Sequence, residues 1–372
     1  MSPSDAMGDC PLFGNPSSQH SEGRAAKNAL EEARSRCAKA LGVPSETLYF
    51  TSGGTESNCI ALFSNLLRTG AGRVIFSQTE HPSIREGIKT LERTGKPCGI
   101  IAVDSEGRVT PQTLAKALEK YGDARFAAIM SVNNEVGSIT DMPSLRDVIR
   151  GFQGPPVHLH CDIAQAAGKI PVDISDWDID SASLSAHKIG GPRGIGLLYL
   201  RKPFDVICSG GGQEGKIRGG TENIHGALSL AACLEQRIVN IEHDTVNGEK
   251  SEYANAKIRW KKLILALSAI NRCAIIPAGR LQNEEAFSPY ILQAAFRGIP
   301  GEVMARALDD LGFAVSTGSA CSSFSQERPV LEAMGIEENL RIEGIRISQG
   351  WSTTDEDIDL LLEAIAEVLK FL

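Results

Sequence analysis

Lys188 stands in Ser185-Ala186-His187-Lys188-Ile189-Gly190-Gly191-Pro192, between a run that reads as a buried strand (179–184) and glycines and a proline that force an irregular turn. A lysine held at a strand end beside polar neighbours can lose its proton and form a Schiff base with an aldehyde. Upstream, His160-Cys161-Asp162-Ile163-Ala164-Gln165 ends a second apolar run with a carboxylate. An amine and a carboxylate at the ends of separate strands meet the two demands of pyridoxal 5'-phosphate (PLP), a covalent anchor and an ionised partner for the pyridine nitrogen. Taken alone, the lysine reads more readily as a surface residue of a Gly-rich loop; the upstream carboxylate is what favours the anchor.

Further residues extend the pattern. Thr51-Ser52-Gly53-Gly54-Thr55 joins a strand to a helix, and such a turn offers free backbone N–H groups and the helix dipole to a phosphate, although many turns carry Gly and Thr simply as caps. His81 follows a strand in Thr79-Glu80-His81-Pro82-Ser83, where it can also serve as a helix cap. Asn133-Asn134 fills another strand-end loop and could be a plain turn. Arg346 is a guanidinium in the apolar strand Gly344-Ile345-Arg346-Ile347-Ser348, asking for an anion such as a carboxylate or a structural ion-pair partner. Cys321 sits in a polar loop of small residues, a setting that favours an exposed thiolate, whereas the other eight cysteines mostly fall inside apolar patterns.

These motifs together resemble the cysteine desulfurases, the fold-type I PLP enzymes of the aminotransferase class V group, and specifically their iron-sulfur-cluster and nitrogen-fixation branch. Ser-x-His-Lys with Gly-Pro after it, His-x-Asp-x-x-Gln, Gly318-Ser319-Ala320-Cys321 and Thr51 to Asn58 occur in the family's order, and the likeness runs from about Gly14 to the end. The resemblance implies that Lys188 carries PLP, that Gly54 and Thr55 hold its phosphate, and that His81 stacks on the ring and moves protons. It puts Asn134, Asp162, Gln165, Ser185 and His187 around the cofactor. Thr221, in Arg218-Gly219-Gly220-Thr221, is expected to reach the phosphate of a neighbouring subunit, which implies a homodimer. Cys321 becomes the nucleophile and Arg346 the holder of the substrate α-carboxylate. The implied reaction converts L-cysteine to L-alanine, leaves a persulfide on Cys321 and passes sulfur to an acceptor, either an iron-sulfur scaffold or a thiolation relay. A selenocysteine lyase would use the same residues, and a non-catalytic paralogue is the alternative from another class. The family's opening strand and Ala-Thr-Thr motif have no counterpart ahead of Gly14–Ser18, and the stretch from Cys321 to Val330 is slightly short for this branch.

The supporting elements follow from periodicity. Apolar runs alternate with helical stretches through residue 201, the pattern of a mostly parallel sheet covered on both faces. With the resemblance, this becomes a seven-stranded sheet in a large α/β domain, followed by a smaller α+β C-terminal domain. The expected division is an N-terminal segment 1–20 that packs on the small domain or is disordered, a PLP-binding domain 21–247 and a small domain 248–372. Ser21 is the expected cap of the first long helix, a polar passage is expected around 279–285, and a strand over 313–316.

Composition sets outer bounds. A chain of 372 residues with 42% hydrophobic content can bury two cores, and a net charge of -8 argues against a nonspecific nucleic-acid footprint. Nine cysteines, spread singly without Cys-x-x-Cys, argue against a zinc site or a disulfide framework. No secretory signal or transmembrane run is visible, so a cytoplasmic location is expected.

Overall fold

The computed structural model describes residues 12–68, 72–242, 245–246, 249–318 and 328–372. Seven strands form one sheet: β1 (Leu48–Thr51), β2 (Arg73–Ser77), β3 (Cys98–Ile101), β4 (Ala124–Ala128), β5 (His158–Asp162), β6 (Ser181–Ser185) and β7 (Gly196–Leu200). Their order is β1-β7-β6-β5-β4-β2-β3. Only β7 runs against its neighbours, pairing antiparallel with β1 and β6 while all other pairs are parallel. The carboxyl ends of β1, β2, β4, β5 and β6 therefore emerge on one edge, where open α/β sheets bind ligands.

Helices cover both faces because the strands bury side chains on both. One core joins β5 residues Leu159 and Cys161 to the helices Ser21–Leu41 and Ile224–Glu242. The other packs Phe126 and Leu198 against Ile84, Ile88 and Leu91 of the helix Pro82–Arg93. The cap of Ser21–Leu41 is His20, not Ser21: the imidazole accepts from Gly23 N–H, one of the orphan donors of the first turn.

A three-stranded antiparallel sheet, Cys273–Ile276, Ile291–Phe296 and Gly344–Ser348, builds a separate core with the helices Glu252–Ser268, Gly301–Asp310 and Asp355–Phe371. The first of these strands escaped sequence reading because it is only four residues long beside a polar passage. The strand expected over 313–316 is reduced to one bridge, Ser316 with Arg346, since Phe313 to Val315 leave the ladder. Among the described residues no helix is long and apolar enough to cross a membrane.

Candidate active site

The shared strand edge encloses a cavity of 460 Å³ whose walls include Gly54, Thr55, Asn58, His81, Asn134, Asp162, Gln165, Ser185, His187, Lys188 and Arg346. Apart from Arg346, which lies within a strand of the smaller sheet, each wall segment follows a strand end or precedes β7, so the topology gathers residues far apart in sequence.

At the end of β1, Gly53 has φ 151° and ψ 178°, a backbone region essentially restricted to glycine. That bend aims the first turn of the helix Gly54–Phe63 at the cavity, so Gly54 and Thr55 present the positive end of a helix. A side chain at Gly53 would also approach Ser185 Oγ at 3.5 Å.

Asp162 ends β5 and is only 6% exposed. Its Oδ2 accepts from Asn58 Nδ2 at 2.8 Å and its Oδ1 from Ala164 N–H at 2.9 Å. Both oxygens thus face donors, which suits an ionised carboxylate.

His81 caps the helix Pro82–Arg93: its Nδ1 accepts from Ser83 N–H at 3.1 Å and lies 2.9 Å from Ser83 Oγ. A backbone N–H can only donate, so the neutral ring carries its proton on Nε2. Burial holds the ring below its ordinary pKa, with Asp162 pulling the other way and Lys188 and Arg85 adding to the depression.

Lys188 lies beyond β6 on a wall of the cavity, and His187 Nδ1 sits 2.8 Å from Ser185 Oγ. A second amine is close by: Lys169 Nζ donates to Gln165 Oε1 at 2.6 Å, which turns the Gln165 amide nitrogen away from the lysine. Burial, joined by the charges of Lys188 and Arg346, lowers Lys169 to about 7.

Arg346 reaches the cavity from the smaller sheet. Its Nη1 donates to the Asn134 carbonyl at 3.0 Å, while its buried Nε has no hydrogen-bond partner among the described residues. Burial lowers its pKa, opposed by Glu135. A guanidinium oriented at one nitrogen and unsatisfied at another is suited to a carboxylate. Because Ser316 bridges Arg346, the chain enters the segment bearing Cys321 beside this cavity. Cys321 itself lies outside the described residues.

Thr221 is not on the cavity wall; it is exposed, in the loop ahead of the helix Ile224–Glu242. That loop is tied down by Glu214, whose carboxylate takes two 2.7 Å hydrogen bonds from Arg34 and one of 2.7 Å from Phe50 N–H.

Sequence reading passed over Glu80 and Lys169. Glu80 is fully buried beneath the site, its Oε1 accepting from Met130 N–H at 2.6 Å and its Oε2 without a partner among the described residues. Burial, with the charge of Asp162 adding to it, raises it to about 8. The available signals were Glu80 preceding His81 at a strand end and Lys169 four residues beyond Gln165.

The aminotransferase class-V family model matches residues 11–361, so the chain belongs to that family, whose members in general use PLP. Within it, the chain is 36% identical over 364 residues to the cysteine desulfurase IscS of Dictyoglomus turgidum, covering 96% of this chain and 88% of that protein. It is 35% identical over 367 residues to the cysteine desulfurase IscS of Methanosarcina thermophila, covering 96% and 85%. A solved NifS-like protein superposes with a TM-score of 0.84 at 30% identity, covering 97% of this chain and 93% of that one.

Proposed function

We infer that this chain is a PLP-dependent cysteine desulfurase. The observation that carries the reading is the convergence of Lys188, Asp162, His81 and Arg346 on one 460 Å³ cavity with a helix N-terminus at Gly54 and Thr55. The residues present fit the cofactor: an anion cradle, an amine, a carboxylate facing only donors, and an arginine nitrogen left unsatisfied.

Lys188 would hold the cofactor aldehyde, Gly54 and Thr55 its phosphate, and Asp162 its ring nitrogen, with Asn134, Gln165, Ser185 and His187 lining the remaining contacts. When bound, PLP supplies an electron-withdrawing ring that accepts the charge developed on an amino-acid carbon skeleton. Arg346 orients the substrate by its α-carboxylate. The Lys188 amine, on the cavity wall, would also move the proton at the substrate α-carbon. His81, with Nδ1 occupied by Ser83 N–H, offers its Nε2 proton as a donor in that exchange. The Cys321 thiolate then forms a sulfur–sulfur bond with the substrate while the substrate carbon–sulfur bond breaks; its electron pair stays with the carbon skeleton, which takes up protons and leaves as alanine. The resulting Cys321 persulfide passes sulfur to an acceptor protein.

The reading also includes a homodimer, for which the exposure of Thr221 outside its own cavity is the support, and a cytoplasmic location. Two units divided near residues 247 and 248 agree with the separate cores of the two larger sheets.

The test is alanine release from L-cysteine by the purified protein, with and without a thiol reductant. Cys321→Ala is expected to keep the cofactor absorbance responsive to cysteine while losing persulfide. Persulfide surviving in that variant would overturn the role of Cys321, and transamination without sulfur release would overturn the reaction class.

A further inference from the structure

A row of buried polar groups leads away from Asp162 through the sheet, and the desulfurization chemistry above makes no use of it. His158, His160 and Asp162 occupy alternate positions of β5 and so share one face of the sheet. Their partners come from the register with β6, which sets His160 opposite Ser181 and Asp162 opposite Ser183, and from Asn58 on the helix Gly54–Phe63. Arg68 Nη2 lies 3.5 Å from His158 Nδ1, and His158 Nε2 lies 2.8 Å from Ser181 Oγ. Ser181 Oγ is 2.8 Å from His160 Nδ1, and His160 Nε2 is 2.9 Å from Asn58 Oδ1. Asn58 Nδ2 then donates to Asp162 Oδ2 at 2.8 Å and to Ser83 Oγ at 2.9 Å, and Ser83 meets His81 Nδ1.

The direction of every bond in this row is determined. A guanidinium can only donate, so His158 accepts at Nδ1 and carries its proton on Nε2. Ser181 therefore accepts from His158 and donates to His160 Nδ1. That leaves the His160 proton on Nε2, facing Asn58 Oδ1, which also accepts from Ser183 Oγ. With its oxygen thus engaged, Asn58 must turn its NH₂ toward Asp162 and Ser83. The reversed amide would set one oxygen against another at Asp162. Burial pushes both imidazoles far below their ordinary pKa and keeps them neutral, as the bond directions require. Phe126 stacks on both rings, with centroids at 5.1 Å and 5.9 Å, fixing their planes.

We propose that Arg68, His158, Ser181 and His160 form a one-way hydrogen-bonded row that locks the Asn58 amide, and that Asn58 in turn positions both Asp162 and His81. These are positioning residues, acting on the cavity without lining it, apart from Asn58 at its wall. The proposal rests on reading Asp162 and His81 as cofactor contacts, yet it is tested without turnover or cofactor.

The experiment is long-range ¹H–¹⁵N correlation on histidine-labelled, cofactor-free full-length protein at neutral pH. His158, His160 and His81 are each expected as the Nε2-protonated tautomer. In Ser181→Ala, which removes the directing hydroxyl from a fully buried position outside the cavity, the single-tautomer pattern of His160 is expected to be lost and the His81 signal to shift with it. An Nδ1-protonated or doubly protonated His160 in the parent protein overturns the row, whether or not the variant folds. A His81 signal unchanged in a folded Ser181→Ala that has lost the His160 pattern overturns the link to the cavity. Neither result bears on whether cysteine is desulfurized, which alanine release decides separately.

Discussion

Replacing Arg346 by lysine separates a substrate contact from a structural one. Among the described residues the side chain makes one hydrogen bond, from Nη1 to the Asn134 carbonyl, and keeps a buried Nε with no partner. A bidentate carboxylate contact comprises two charge-assisted hydrogen bonds, and lysine can retain at most one with the same geometry. A hydrogen bond to a charged group contributes about 1.5–3 kcal/mol, so Arg346→Lys is expected to raise KM for L-cysteine by roughly 10- to 150-fold. The lost bond to Asn134 is neutral at its acceptor and reaches only a partly buried guanidinium, so the accompanying stability loss is expected to be smaller, about 1 kcal/mol. The assay is steady-state alanine release across a range of cysteine concentrations, paired with urea denaturation of the same preparations. A KM within twofold of the parent, together with a substantial loss of stability, would refute the carboxylate assignment and leave Arg346 as a brace for the Asn134 loop.

Three further outcomes follow from buried charges. Glu80, raised to about 8 from an ordinary 4.5, holds a proton in the folded state that the unfolded chain has released between those values, so stability should fall as pH rises across that window; Glu80→Gln should lack the slope in urea titrations at pH 5 and pH 8.5, and an unchanged slope would contradict it. Lys169, lowered to about 7 from 10.5, has the opposite sign: the unfolded chain binds the extra proton, stability should rise from pH 7 toward 10.5, and Lys169→Met should flatten that rise while freeing the Gln165 side chain. Glu214→Ala strips the buried Arg34 of its bidentate partner and Phe50 N–H of its acceptor, so it should destabilise by about 3–5 kcal/mol in urea denaturation. A loss below 1 kcal/mol there would show that Glu31 and the Leu48 carbonyl suffice for Arg34.

The sequence by itself pointed to Lys188, Asp162 and Gly53-Gly54-Thr55, because each stands at a local discontinuity: the lysine between strand and glycines, the aspartate at the close of an apolar run, the glycines and threonine between strand and helix. Alternation of apolar runs likewise dictated the main sheet, since strands buried on both faces leave a continuous signal. Tertiary structure alone decided what stands behind those residues. Glu80 beneath the site, Lys169 beside Lys188, Glu214 against Arg34 and the row from Arg68 to Asn58 join residues on different elements, up to 180 positions apart. Their partners are fixed by strand order and register, and hydrogen-bond direction propagates only once donors and acceptors have been brought within about 3 Å of each other. The strand Cys273–Ile276, missed beside a polar passage, and the strand expected over 313–316, reduced to one bridge, went wrong for a related reason: in so short a run, pairing with neighbours outweighs the pattern along the chain.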